Sequence, residues 1–251
     1  MNSTIPFIDP KLFFPLSKKS AQQNVDGIQL HIAEGGRIHA MSQIAVKQLQ
    51  HYLSECQLDH DFGILKDQTG FGKMFGVLVV QKDNGELGYL RAFSGKWQNS
   101  NHHEGFVPPI FDSLEPKGFL VRGMKELTIL NKNIAIMSDG FAKEKLKEQR
   151  KIHSQKLQNR VADQYYFLNA NKEKRTMLSI FEEYSQGKPP GGAGECAAPK
   201  LLQFAFEWKL KPIALAEFYW GRHSGSDKWK HEQLYAPCKE KCVPILKHML
   251  S

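Results

Sequence analysis

The sequence has no long apolar run and few cysteines, and each shortage excludes a class of protein. No stretch of eighteen or more apolar residues occurs among the 251 residues, so we expect no membrane-spanning helix. The first residues, MNSTIPFIDPKLFFPL, lack the basic start and continuous apolar middle of a secretory signal. Four cysteines are too few and too unevenly spaced for a disulfide framework. Together these shortages predict a cytoplasmic globular protein.

The charge composition is basic, which bears on the partners of the protein. The chain carries 34 Lys and Arg residues against 26 Asp and Glu residues, a formal net charge of +8. Hydrophobic residues make up 41% and charged residues 24% of the sequence, which excludes wholesale disorder and fibrous folds. Polyanions are therefore the first candidate partners, with nucleic acid foremost among them.

Apolar patterns predict the elements of an α/β body. The segment HAMSQIAVKQLQHYL favours a helix over about 39–56, and two β-branched runs joined by the Asp-Asn-Gly turn at 83–85 predict a β-hairpin. APKLLQFAFEWKL predicts an amphipathic helix just after Cys196, PIALAEFYWG a buried strand, and PILKHML a final helix. Residues 126–137, ELTILNKNIAIM, fit either a helix or a strand.

The middle of the chain predicts an inserted helical hairpin at 141–186. This segment is dense in Lys, Glu, Gln and Arg, its apolar positions are sparse, and it is interrupted near Asn169–Asn171. Residues 1–140 are then the first part of the α/β body, with an N-terminal arm and the β-hairpin, and 187–251 the second part with the cysteine motifs. The expected fold is a three-layer α/β/α sheet with helices on both faces.

Three cysteines fall at two predicted helix starts, Cys196 at one and Cys238 with Cys242 at the next. If both helices pack on one sheet with their N-termini side by side, the thiols converge. Helix N-termini also favour thiolates, because unpaired N–H groups and the helix dipole stabilise negative charge. Three thiolates with a water or a histidine complete a tetrahedral zinc shell. The sequence thus predicts either a zinc site at these cysteines or three isolated structural thiols.

The order helix, β-hairpin, helix, strand and cysteine-led helix resembles the zinc-dependent deaminase fold. That resemblance implies a catalytic Glu two residues after the first ligand, and Pro-Cys-x-x-Cys at the next helix. Here Ala198 stands in place of the acid and the later pair is CxxxC. Glu195 and Glu217 are acids within reach, but neither occupies the family's position. A deaminase-like enzyme or an inactive derivative is therefore the alternative function.

A second resemblance covers about 160 residues of the chain. Its segments are LRAFSGK (90–96), GFVPPIFD (105–112), GAGECAAPKLLQFAF (192–206), PIALAEFYWG (212–221) and YAPCKEKCVPILKHML (235–250). They resemble the N-terminal extension of long RluA-type RNA pseudouridine synthases. The resemblance implies an accessory domain that positions structured RNA, rRNA or tRNA, for a catalytic domain that isomerises uridine without a cofactor.

The catalytic signature of those synthases is missing from the sequence. Neither their His-Arg-Leu-Asp run nor the Thr-Ser-Gly that follows it occurs among these residues. We therefore assign no catalytic residue, and we expect the catalytic domain of the same polypeptide to follow Ser251.

Two basic regions are candidates for contacting RNA, the segment before the last two cysteines and the predicted helical hairpin. Cations bind phosphates, and an exposed Trp can stack on an unpaired base. The expected contacts are Lys96, Arg222, His223, Lys228, Trp229 and Lys230. In the predicted helical hairpin, acids alternate with the cations. That segment therefore fits a solvated face or a protein-docking surface as well as an RNA surface.

The loop SGKWQNSNHHEGF leaves two alternatives open. His102 and His103 fit either a metal site or hydrogen-bonded surface histidines. Lys96 and Trp97 fit either a binding groove or a packed turn.

Overall fold

A mixed β-sheet with helices on both faces forms the body of the protein. The computed structural model describes residues 9–16, 30–33, 37–55, 62–64, 71–185, 187–222 and 229–251. The strands are β1 (Phe14–Pro15), β2 (His31–Ile32), β3 (Lys73–Gln81), β4 (Leu87–Phe93), β5 (Tyr166–Leu168), β6 (Lys174–Thr176), β7 (Lys211–Trp220) and β8 (Leu234–Tyr235). The helices are α1 (Ala40–Glu55), α2 (Phe119–Ile136), α3 (Phe141–Ala162), α4 (Met177–Ser185), α5 (Ala197–Glu207) and α6 (Val243–Met249).

The main sheet has the strand order β1-β4-β3-β7-β2, with β8 also paired to β7. β3 runs antiparallel to both β4 and β7, whereas β2 runs parallel to β7. The turn between β3 and β4 places Gly85 at φ +83°, a conformation that favours glycine, and its N–H donates to the carbonyl of Lys82. The predicted β-hairpin is therefore present.

Helices cover both faces of this sheet because its central strands are apolar on both sides. Along β3, Val77 and Val79 pack with α1 in one core, while Leu78 and Val80 pack with α5 and α6 in the other. The helix predicted over 39–56 is α1, and the buried strand predicted from PIALAEFYWG is β7. The expected three-layer α/β/α architecture is thus confirmed.

The helical hairpin lies elsewhere than predicted. The segment 141–186 begins with a helix, α3, but this helix packs on α2, which contains the ambiguous segment 126–137. A second helix, α4, follows in this segment, but it is short, and the β5–β6 hairpin separates it from α3. Two contacts hold this hairpin. Phe167 is fully buried in the core, and the Asn169 side chain accepts hydrogen bonds from two backbone N–H groups across the turn.

We call residues 119–162 the α2–α3 hairpin. At its crossing Gly123 faces Leu157, and within α2 only Gly123 and Leu127 are buried. Apolar side chains at the tip are exposed to solvent, with Ile136 84% and Phe141 86% exposed. Although α2 and α3 are the longest helices, none of the described helices combines the length and apolarity needed to cross a bilayer.

Candidate metal centre

The three cysteines meet at the starts of α5 and α6. Cys196 directly precedes α5, Cys242 directly precedes α6, and Cys238 lies one turn earlier. That turn is closed because the N–H groups of Cys242 and Val243 both donate to the carbonyl of Cys238, each at 3.1 Å. All three Sγ atoms lie within 4.8 Å of one another, and none forms a disulfide. The predicted convergence of the thiols is therefore confirmed.

The spacing of the sulfur atoms fits a tetrahedral metal ion. Zn–S bonds of about 2.3 Å place two sulfur ligands about 3.8 Å apart. The Sγ atoms of Cys238 and Cys242 are 3.3 Å apart, and no pair in the cluster exceeds 4.8 Å. Small side-chain movements would therefore bring all three sulfurs to ligand distance, so the cluster could bind a metal.

Hydrogen bonding within the cluster divides the thiols into two kinds. The pKa of Cys238 is held far below its ordinary value, first by its hydrogen bond with Cys196 and then by that with Cys242. The backbone N–H groups of Lys241 and Cys242 lower the pKa of Cys238 further. The pKa values of Cys196 and Cys242 are raised, in each case first by a hydrogen bond within the cluster. Cys238 is therefore the sulfur that ionises first.

A buried carboxyl group lies beside the thiols. Glu217, on β7, is only 4% exposed, and its Oε1 accepts a hydrogen bond from the N–H of Ala198 at 3.1 Å. Burial raises the pKa of Glu217 to about 7, although the bond from Ala198 acts in the opposite direction. The carboxyl group thus reaches the first turn of α5 at the position two residues after Cys196.

A buried lysine occupies the next turn of α5. Lys200 is 2% exposed, and its Nζ lies 4.5 Å from the centre of the Phe93 ring. Burial lowers the pKa of Lys200 to about 8, and the charge of Glu195 partly opposes that shift. Burial also lowers the pKa of Lys73, and the charge of Glu195 opposes that shift. Burial raises the pKa of Tyr165, and the charge of Glu195 raises it further. Charged groups are therefore concentrated around the start of α5.

Lys200 was not among the site residues predicted from the sequence, although the apolar character of α5 indicates that this lysine is buried. Every residue of α5 except the last is buried. The apolar side chains of this helix fall on more than one face, as in Leu201, Leu202, Phe204, Ala205 and Phe206. A helix that is apolar nearly all round is enclosed, so a lysine within it is enclosed as well.

The segments of the second resemblance meet around the start of α5. The N–H of Gly95 donates to the carbonyl of Glu195 at 2.9 Å, which joins the first segment to the third. A cavity at this junction also includes the second segment, its lining residues including Lys96, Ile110, Phe111, Gly194, Glu195 and Lys200. Glu217 comes from the fourth segment and Cys238 from the fifth. Segments far apart in the chain thus form one continuous region.

The Trp229 ring is already in contact with two other aromatic rings. It stacks on Tyr219, with centroids 6.1 Å apart, and it meets Tyr235 edge to face at 4.6 Å. The residue is half-buried. Stacking of Trp229 on an RNA base remains a prediction, and it would require the exposed part of this ring.

The other expected RNA contacts are spread over the surface. Arg222, after β7, and Lys230, before β8, are exposed, and Lys96 is exposed at the rim of the cavity near Glu195. His223 and Lys228 lie outside the residues that the structure describes. RNA binding by these side chains remains a prediction.

The histidine loop is a packed turn. The Nε2 atom of His102 lies 3.2 Å from the Asp112 carboxylate, and that of His103 lies 2.8 Å from the carbonyl oxygen of Trp97. The His103 ring also stacks on Trp97 at 4.2 Å, and Trp97 is 2% exposed. Of the alternatives left open by the sequence, hydrogen-bonded histidines and a packed turn account for this loop.

Comparisons with known proteins give no family for this chain. No protein-family model, no curated protein and no solved structure matches it.

Proposed function

We propose that Cys196, Cys238 and Cys242 hold one zinc ion, and that the body around this centre is an accessory module that positions structured RNA for a pseudouridine synthase domain. The observation that carries this proposal is the meeting of all five resembling segments around the start of α5. These segments resemble one protein family and also lie in one region of the fold, as the parts of a single functional unit would.

The zinc part of the proposal rests on the donor set. Thiolates select zinc, copper(I) and iron–sulfur clusters over hard cations. The three sulfurs at two helix starts would supply three of the four ligands of a tetrahedral zinc ion, with the fourth position open to water. A bound ion would tie α5 to α6 and offset the charge of the thiolates, so binding would stabilise the folded state.

Elemental analysis tests the zinc site. We expect close to one zinc per chain in the purified protein, and none in the Cys238→Ser/Cys242→Ser variant. Chelation should lower the thermal midpoint of the wild type and leave that of the double variant unchanged. Cys56→Ser is the matched control and should keep its metal. Metal-free wild type whose thermal midpoint is unaffected by added zinc or by chelator would remove the site.

The RNA part of the proposal rests on charge together with the resemblance. A chain with a net charge of +8 is suited to polyanions, and Arg222 and Lys230 present exposed cations at one loop. Because cations that neutralise phosphates release counterions, the binding constant should fall steeply with salt. RNA held in this way would be presented to the uridine-isomerising domain.

Fluorescence anisotropy with labelled rRNA and tRNA fragments tests RNA binding. We expect the wild-type chain to bind, and the affinity to fall about 10-fold or more between 50 and 200 mM salt. Arg222→Glu/Lys230→Glu should weaken binding, whereas Lys47→Glu, an exposed change on α1, is the control. Absence of binding at low salt would contradict the proposal.

A second candidate, a zinc-dependent deaminase-like enzyme, is favoured by one observation. Glu217 reaches the N–H of Ala198, the position at which deaminases carry their acid. Bound zinc would supply activation of water by lowering its pKa. The carboxyl group of Glu217, with a pKa of about 7, is suited to carrying a proton near neutral pH.

Release of ammonia distinguishes the two candidates. Hydrolytic deamination consumes one water and releases one ammonia for each cytosine or adenine converted. If the second candidate is right, zinc-loaded protein should release ammonia from cytidine- or adenosine-containing RNA, and Glu217→Gln should abolish the release. RNA binding without any ammonia release would leave the accessory role as the function.

A further inference from the structure

The positive charge of this protein is concentrated in the α2–α3 hairpin. Residues 119–162 contain ten Lys and Arg residues against four Asp and Glu residues, a net charge of +6 out of +8 for the chain. The rest of the chain therefore carries a net charge of only +2. The hairpin, rather than the body, is accordingly the strongest candidate for a polyanion-binding surface.

Part of that charge is neutralised within the hairpin. The ion pairs are Lys143–Asp139 at 2.8 Å, Lys147–Glu144 at 2.7 Å and Lys151–Glu148 at 3.8 Å. The fourth acid, Glu126, lies 3.1 Å from His153. All four acids are therefore engaged, so the remaining cations have no carboxylate partner within the hairpin.

Seven cations remain, and five of them form two groups, one on each helix. On α2, Arg122, Lys125 and Lys132 recur at spacings of three and seven residues, which places them on one side of the helix. On α3, Lys145 and Lys156 are eleven residues apart, about three turns. All five are exposed, and within the described residues none of them forms a salt bridge.

We propose that the α2–α3 hairpin is the main docking surface for the phosphate backbone of structured RNA. This inference rests on the proposed RNA role and adds which part of the protein surface contacts the RNA. With 22 residues α3 is about 33 Å long, so its cations can follow several successive phosphates. Contacts of this kind give salt-dependent affinity with little dependence on base sequence.

An anionic membrane surface fits the hairpin less well. A helix that lies on a membrane presents a continuous apolar face to the lipid. In this hairpin the apolar sides of α2 and α3 face each other, as at Gly123 and Leu157. Met124, Ile129, Ile136, Phe141 and Ile152 are exposed, but polar residues stand between them, and only Ile136 and Phe141 share one region, the tip. The exposed surface is therefore suited to phosphate contacts in water.

The test compares two charge-reversal variants of the full chain that have the same net charge. The hairpin variant carries Lys125→Glu, Lys132→Glu, Lys145→Glu and Lys156→Glu. The body variant carries Lys47→Glu, Lys117→Glu, Lys188→Glu and Lys209→Glu, all at exposed positions. Circular dichroism and thermal midpoints are measured first, to establish that both variants fold. Binding is measured by anisotropy with a labelled rRNA fragment as salt is varied.

We expect the hairpin variant to lose about 100-fold in affinity at 100 mM salt and the body variant to lose less than about 5-fold. The slope of log K against log salt should become shallower by about three in the hairpin variant, because each lost phosphate contact removes about one unit. Equal losses in the two variants would show an effect of net charge alone and would overturn the assignment.

Three other outcomes separate this inference from the RNA role itself. If Arg222→Glu/Lys230→Glu abolishes binding while the hairpin variant binds normally, the RNA role stands and the hairpin surface is wrong. If the wild type binds no RNA, both are wrong. If the hairpin variant loses binding to phosphatidylserine vesicles but keeps RNA binding, the surface is for membranes and the assignment is overturned.

Discussion

The start of α5 and the α2–α3 hairpin are built in opposite ways. Around α5 almost every side chain is enclosed, including a carboxyl group, an amine and a thiol at Glu217, Lys200 and Cys242. In the hairpin, α2 buries only Gly123 and Leu127, and its cations face water. The first region positions reactive groups through packing, whereas the second presents charge on a simple scaffold.

This contrast implies that the two regions tolerate mutation differently. Close-packed surroundings respond to the addition of even one or two methyl groups. Exposed helical positions respond mainly through charge and helix propensity, with effects of a few tenths of a kcal/mol. Substitutions around α5 should therefore change the free energy of unfolding more than substitutions in the hairpin do.

The largest effect is expected for Gly76→Val, where α5 lies closest to β3. A Cβ atom on Gly76 would lie 2.9 Å from the Cβ of Ala197 and 3.1 Å from Leu201 Cδ1, so α5 must move away. We expect a loss of about 3 kcal/mol in the free energy of unfolding, measured by denaturant titration with tryptophan fluorescence.

Gly191→Val is the control for this substitution. A Cβ atom on Gly191 would meet nothing within 4 Å, so the variant should unfold like the wild type. Equal stability of the Gly76 variant and this control would show that α5 does not pack tightly on the sheet.

A smaller, pH-dependent effect is expected for Lys200→Met. Burial lowers the folded-state pKa of Lys200 to about 8, below its ordinary value of 10.5, so the unfolded chain binds the proton more tightly. The wild type should therefore gain stability relative to the variant as pH rises from about 8 to 10.5. Below pH 8 the methionine variant should be the more stable by roughly 1–2 kcal/mol.

Unfolding free energies of both proteins at pH 7.5, 8.5, 9.5 and 10.5, in the presence of chelator, give this difference directly. Titrations of groups that do not interact with Lys200 cancel in the subtraction. A difference that stays constant across this range would mean that Lys200 is not enclosed in the folded protein.

The smallest effect on the body is expected for Gly123→Val. A Cβ atom here would lie 2.4 Å from Leu157 Cδ2, so either the Leu157 side chain must move or α2 and α3 must separate. All four tryptophans, Trp97, Trp208, Trp220 and Trp229, lie outside the hairpin. Unfolding of the body, followed by tryptophan fluorescence, should therefore give an unchanged free energy, within about 0.5 kcal/mol.

Circular dichroism should show a loss of helix in the same variant, and proteolysis between α2 and α3 should become faster. A cooperative loss of both signals would show that the two regions fold as one unit.

Much of the body could be predicted from the sequence because its signals are local. The Asp-Asn-Gly turn predicted the β3–β4 hairpin, and a continuous apolar run predicted β7. The helical hairpin predicted at 141–186 is not confirmed, because the conformation of the segment after α3 depends on tertiary contacts. Phe167 is buried, and His248 of α6 hydrogen-bonds to its carbonyl at 3.0 Å, which holds this segment as a strand.

The candidate site was predictable in part. Cysteines at two helix starts predicted that the thiols converge, and they do. The contact between Glu217 and Ala198 could not be predicted, because it depends on how β7 is positioned against α5. The surroundings of Lys200 likewise depend on three separate chain segments, and no local pattern encodes their meeting.

The pairing of β3 with β7 also determines when the molecule can fold. Val77 lies opposite Ala216, about 140 residues later in the chain, so a very large loop must close before the central sheet exists. The α2–α3 hairpin between them needs only neighbouring residues and can form on the microsecond scale typical of helices. During synthesis at about 5–20 residues per second, the α2–α3 hairpin would therefore be complete several seconds before the sheet closes. In that interval the nascent chain exposes the positively charged α2–α3 hairpin before its core has formed.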